Sequence, residues 1–225
     1  MPRPKLVRHV PVFPWSATGR WSPRPGSVAV LVVGLWMFGT GESLMIDARL
    51  GNSPWTVLAD GLARHAGVAI GTMTVIVSGF VLLGWVVLHE RPGLGTIGNA
   101  LLIGLAVDVM EPLLPAPTGL APRLAEAAAG IVLVAVGGAL YLSTQLGPGP
   151  RDGWMTGLAK RLDQPIARVR LSIEAVVLVA GWLLGGRVGV TTFAFALLIG
   201  HTLAAALGRL SRLAVTAPTT VAVTD

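Results

Sequence analysis

The hydrophobic pattern of the chain falls into six long apolar runs, near residues 27–46, 67–88, 95–115, 124–144, 167–185 and 189–210. Each holds about 18 residues or more, the length that reads as a helix crossing a bilayer. At 1.5 Å per residue they reach about 28 to 33 Å, enough for the hydrocarbon core. Between the first and second runs lies a shorter piece, Pro54 to His65. Ser53 can cap it, and Pro54 fits its first turn, where the backbone N–H is unpaired in any case. Gly67 can end it. A second such piece, Pro150 to Arg161, follows the fourth run. Both are too short to span and read as interfacial or re-entrant helices.

The two short pieces belong to a duplication. The stretch LGNSPWTVLADGLA at Leu50–Ala63 returns as LGPGPRDGWMTGLA at Leu146–Ala159, a constant offset of 96 residues. The same offset carries Gly34 onto Gly130, Gly41 onto Gly137, Arg91 onto Arg187, Thr96 onto Thr192 and the run Ala100–Gly104 onto Ala196–Gly200. A repeat of this length settles the architecture before anything else. Each copy holds three spans, so the second enters the membrane from the opposite side, in the manner of many secondary transporters. The expected fold is an all-α membrane protein with six transmembrane helices in an inverted 3+3 repeat, each repeat with one short helix. Its parts are a basic tail (1–26), a first membrane repeat (27–116), a second (117–213) and a C-terminal tail (214–225).

Composition agrees. The 225 residues are 53% hydrophobic and 12% charged, about half the charge of a soluble domain, with a mean hydropathy of +0.72. There is no cysteine. The formal charge of +6 records orientation rather than nucleic-acid binding, because the basic residues lie in the tail and the loops. With the N-terminus inside, thirteen arginines and lysines fall on inner segments and four on outer ones, Arg49, Arg64, Arg123 and Arg187. The excess places both termini in the cytoplasm. The tail carries Arg3, Lys5, Arg8, Arg20 and Arg24 and six prolines, and reads as disordered chain near anionic head groups. The first apolar run belongs to the repeat and so is not read as a cleaved signal peptide.

The LGxSPW element, the RPGLGTxxNALLIGLxxD stretch at Arg91–Asp108 and the LGxGPRDGxMxGLAxR element at Leu146–Arg161 resemble the YczE/YyaS/YitT-type family of bacterial integral membrane proteins. The resemblance runs from about residue 28 to about 210 and implies a multi-pass cytoplasmic-membrane protein. It brings no catalytic residues. The family's first motif usually reads SPWD. Here Thr56 replaces that aspartate, while its counterpart Asp152 is kept.

Ionisable residues inside spans are the candidates for chemistry, since an acid at a helix centre costs about 2.5 to 3.5 kcal/mol on insertion. Glu42, Asp108, Glu174 and His201 form the candidate intramembrane polar set. Glu42 and Asp108 are expected either to bond a neighbouring helix or Arg49, or to line an aqueous site in the protein. Glu174 and His201 lie at matched depth on adjacent spans and read as a pair, either a packing contact or a proton relay. Ser53, Pro54, Pro150 and Asp152 mark the repeat motif. Gly34, Gly41, Gly104, Gly130, Gly137 and Gly200 suit close helix approach. Trp15, Trp21, Trp55, Trp85, Trp154 and Trp182 fall near span ends, as interface anchors do. The scattered histidines suggest no metal site, no cofactor motif occurs, and no nucleophile–base constellation points to an enzyme. Membrane lipids, a small solute and a homo-oligomer are the candidate partners. The expected function is small-solute transport. The alternative is a membrane scaffold or regulator that binds a protein through its basic inner face.

Overall fold

A computed structural model of the chain describes residues 12–115 and 117–214. They form α1 (Pro25–Ala48), α2 (Pro54–Ala66), α3 (Ile70–Leu88), α4 (Leu94–Met110, extended by a 3-10 turn at Glu111–Leu113), α5 (Leu120–Ser143), α6 (Pro150–Leu162), α7 (Ile166–Leu183) and α8 (Val190–Ala214). Five of these are long and apolar enough to cross a membrane: α1, α3, α4 with its extension, α5 and α8. The sequence pattern called for six. The run at 167–185 does form a helix, α7, but Arg168, Arg170 and Glu174 sit in its first half, and their charge takes it out of the set. Those groups are largely satisfied by neighbours along the chain: Arg170 pairs with Glu174 at 2.9 Å and Arg168 donates to Gln164 at 2.7 Å.

The tail also differs from expectation. Residues 1–11 and 215–225 lie outside the described residues, but 12–24 are packed rather than loose. Phe13 is buried and stacks on Trp15, Trp15 Nε1 donates to Ser143 Oγ at 2.8 Å, and Ala17 N donates to Thr144 O at 2.9 Å. Arg20 and Trp21 donate to the carbonyls of Arg91 and Pro92. The segment therefore covers the end of α5 and the loop before α4, using aromatic surface that would be costly to leave exposed.

At the centre α1 crosses α5. Gly34 lies against the Gly137 carbonyl and Gly41 against the Gly130 carbonyl, so close that an added Cβ would meet backbone oxygen at 2.9 and 2.7 Å. Small residues allow this approach where lipid supplies no hydrophobic drive. One apolar cluster, including Leu31, Leu35, Ile103 and Tyr141, fills one side of the crossing. Another, including Met45, Ile131, Val134 and Ile199, fills the other. α4 packs on α1 and α8 on α5, while α2 lies on α7 and α6 on α3.

These contacts come in pairs related by the duplication. The Gly34–Gly137 approach maps onto Gly130–Gly41. Gly95 N donates to Leu146 O at 2.8 Å, and Thr191 N donates to Leu50 O at 3.0 Å. Gly93 N donates to Thr96 Oγ1 at 3.0 Å, and Gly189 N to Thr192 Oγ1 at 3.2 Å. The backbone turns left-handed at Arg49 and Gln145, at Gly51 and Gly147, at Gly67 and Asp163, and at His89 and Gly185, each an equivalent pair. Equivalent residues thus meet the same local demands although their side chains differ.

One pair breaks the rule. Gly104 packs against Gly71 and Val75, which holds α4 on α3. At its counterpart Gly200 an added Cβ would meet nothing within 4 Å. The expectation of close packing at Gly200 is therefore corrected. α7 and α8 scarcely touch, so the small residue has no partner helix to admit.

Candidate functional site

Two short helices start inside the protein. After α1 the chain passes Arg49 and Gly51, both with positive φ, and folds back. Ser53 then lies beside Glu42, about a turn and a half before the end of α1. Pro54 opens α2, where its fixed φ suits the first turn and its missing N–H costs nothing. Gln145 and Gly147 make the equivalent turn, and Pro150 opens α6.

Each helix start holds a carboxylate, but from different elements. Glu42 of α1 is buried, and it accepts from Ser53 Oγ at 2.9 and 3.0 Å and from Thr56 Oγ1 at 2.8 Å. At the second start the acid comes from α6 itself. Asp152 accepts from Tyr141 OH at 2.5 Å and from Gly149 N at 3.2 Å, which ties the first turn of α6 to its N-cap. Thr56 and Asp152 are equivalent positions, as are Glu42 and Gly138. The acid absent from Thr56 has therefore moved one element back, to α1. Both carboxylates sit where the partial positive charge of a helix N-terminus favours an anion.

Between the two starts lies a cavity of about 110 Å³. Its wall includes the equivalent pairs Phe38 and Val134, Ser53 and Gly149, Trp55 and Arg151, Asn99 and Phe195, and Ile103 and Ile199. Trp55 and Arg151 also touch each other: the guanidinium carbon stands 5.2 Å from the centre of the indole ring, within cation–π range. Arg151 lies deep in the protein yet keeps accessible surface, as a side chain on a cavity wall does. Burial draws its guanidinium below the usual arginine range, and the charges of Glu42, Asp152 and Glu174 oppose that pull. An arginine stays protonated under such conditions. Among the described residues neither Arg151 nor Asn99 makes a side-chain hydrogen bond, and Trp55 Nε1 is buried without a partner.

The residues singled out from sequence are dispersed. Glu42, Ser53, Pro54, Pro150 and Asp152 gather at the two helix starts. Asp108 lies elsewhere and accepts from Thr72 on α3 at 2.6 Å, tying α3 to α4. Glu174 faces the cavity but is bound by Arg170. His201 is exposed, and its Nδ1 lies 3.2 Å from Leu197 O of its own helix. Among the described residues no hydrogen bond or salt bridge joins Glu174 to His201, so the pair expected from matched depth does not form. Depth says nothing of which way a side chain points around its helix, and Arg170 is one turn away on the same face. Tryptophan placement needs a second correction. Trp21 and Trp182 are exposed, but Trp55 and Trp85 are buried, with Trp85 Nε1 donating to Pro150 O at 2.9 Å.

Sequence reasoning missed Arg151, Trp55, Tyr141 and Asn99. One signal was available for Arg151: it follows Pro150 at a helix start, the place where a cation is least favoured by the helix dipole.

Comparison with known proteins places the chain. A family model described as a family of unknown function, DUF6198, matches residues 26–207. An uncharacterized protein of Haemophilus influenzae is 39% identical over 209 residues, 93% of this chain and 96% of that protein. The uncharacterized membrane protein YczE of Bacillus subtilis is 33% identical over 170 residues, 74% of this chain and 79% of YczE. The uncharacterized protein YyaS of the same organism is 26% identical over 164 residues, 71% and 82% of the two chains. No solved structure matches. With its apolar helices and these relatives, the chain is an integral membrane protein and belongs to the DUF6198 family, of the YczE type.

Proposed function

We propose that the protein is a small-solute transporter or permease of the bacterial cytoplasmic membrane, built as an inverted 3+3 repeat with both termini in the cytoplasm. The observation that carries this reading is the contact between Trp55 and Arg151. A residue that touches its own repeat counterpart lies on the axis relating the repeats, and here that contact forms part of the wall of a cavity. Solute sites of inverted-repeat transporters lie at the repeat interface, near broken helices whose ends face the site. The reciprocal contacts at the α1–α5 crossing support the same symmetry, and α7 takes the place of the sixth span. A scaffold would do as well with a dry, glycine-packed seam, so the polar wall favours transport.

The repeats differ where a transporter needs them to differ. α3 is closed on α4 through Gly71 and Gly104, whereas α7 and α8 stand apart beside the cavity. In the proposed cycle the two sites exchange these arrangements, each giving the solute access from one face. Rocking of one repeat against the other is the usual form of such a cycle.

An uptake screen tests this reading. Purified protein in liposomes, with and without an imposed proton gradient, is expected to give saturable uptake of at least one class of small solute. Uptake no greater than in protein-free vesicles across the screen, with the protein shown to be folded, would contradict it.

A further inference from the structure

We infer that the central cavity binds a small organic monocarboxylate, with the carboxylate on Arg151 and Asn99 and the short alkyl part against Phe195, Ile199 and Leu203. The inference rests on the solute-carrying reading of the same cavity and names the class of solute.

Arg151 offers five N–H donors in a planar fork, which suits a carboxylate taken two oxygens at a time. Among the described residues these donors have no acceptor. The other charged groups at the site each have a partner already. Asp152 is held by Tyr141 OH and Gly149 N, Arg170 and Glu174 hold each other, and Glu42 behind the wall is held by Ser53 and Thr56. A buried cation without an acceptor is costly, and the Trp55 ring offsets part of that cost. Asn99 also lines the cavity with its amide unbonded. Among the described residues single oxygens of Asp152 and Glu174 stay unbonded, but the unused donors, five on Arg151 and two on Asn99, outnumber them, which favours an anion placed on Arg151.

The rest of the wall sets size and character. About 110 Å³ is less than the roughly 150 Å³ of an engineered cavity that takes benzene. A solute of about four to six non-hydrogen atoms fits that space. The apolar side chains would gain little from chloride or nitrate but would cover an alkyl group.

The test is titration calorimetry of sodium propionate into the purified full-length protein in detergent, at constant ionic strength. Propionamide, propylammonium and chloride serve as comparisons. Propionate is expected to bind saturably and about tenfold or more tighter than each of the three. Arg151→Lys should weaken binding and Arg151→Gln should abolish it, with melting temperature reporting folding. Should Arg151→Gln not fold, Asn99→Ala decides, with an expected loss of about threefold to tenfold in affinity. Propionamide or propylammonium binding as tightly as propionate would overturn the assignment. So would chloride binding equally well, or propionate binding unchanged in the variant that folds. Propionate binding without uptake in liposomes would leave the site standing and remove the transport reading. Uptake of another solute class with no propionate binding would do the reverse.

Discussion

Gly41→Val is expected to cost about 3 kcal/mol or more, enough to lower the detergent melting temperature sharply, while Gly200→Val stays within about 0.5 kcal/mol. At Gly41 an added Cβ would meet Gly130 O at 2.7 Å and Val134 N and Cγ2 at 2.8 Å. Two of those three atoms are backbone, so no rotamer change relieves the clash. α1 and α5 would have to part, and the apolar clusters on both sides of the crossing would lose contact together. At Gly200 nothing lies within 4 Å, so the same change merely adds apolar surface. The comparison separates two roles for glycines that stand in similar apolar stretches of α1 and α8. Equal melting temperatures for the two variants would refute the crossing as the structural centre.

The second large effect is expected at Glu42. Glu42→Gly removes the acceptor for Ser53 and Thr56 and the anion at the start of α2, at a cost of about 2 to 4 kcal/mol. The second repeat shows how the loss can be met. There the position equivalent to Glu42 is Gly138, and the acid stands at Asp152, equivalent to Thr56. The double variant Glu42→Gly with Thr56→Asp copies that arrangement and should recover part of the stability. Thr56→Asp alone should destabilise, because it sets a second carboxylate beside Glu42. If the double variant melts no higher than Glu42→Gly, the exchange of acids between the repeats is not real.

Much of the fold was legible in the chain because duplication is written in residue identity. The offset from Leu50 to Leu146 announced the two short helices, and the prolines at their starts located their first turns. The glycine positions marked the crossing, although Gly200 shared the pattern without sharing a partner. The candidate site was much less legible. Trp55 read as an interface anchor because it stands close after an apolar run, but its helix begins inside the protein rather than at the membrane surface. Arg151 read as one basic residue among many. Its place depends on meeting Trp55, and no spacing along the chain reveals that these two residues touch. Glu174 and His201 agreed in depth and differed in direction, which helix periodicity alone did not resolve once α7 and α8 stood apart. Tyr141, the sole tyrosine, joined the site only through the fold of α6 back towards α5.

The central claim is that the cavity beside Trp55 and Arg151 is reached from both faces of the membrane. The chain contains no cysteine, so single cysteines report cleanly. Asn99→Cys and Phe195→Cys occupy equivalent places on the cavity wall. In oriented membranes, a water-soluble, membrane-impermeant thiol reagent should label each position from the outer face and from the inner face in separate experiments. Conditions that favour one face should slow labelling from the other. Labelling of both positions from one face only, or from neither while the protein remains folded, would contradict a transport cycle built on this cavity.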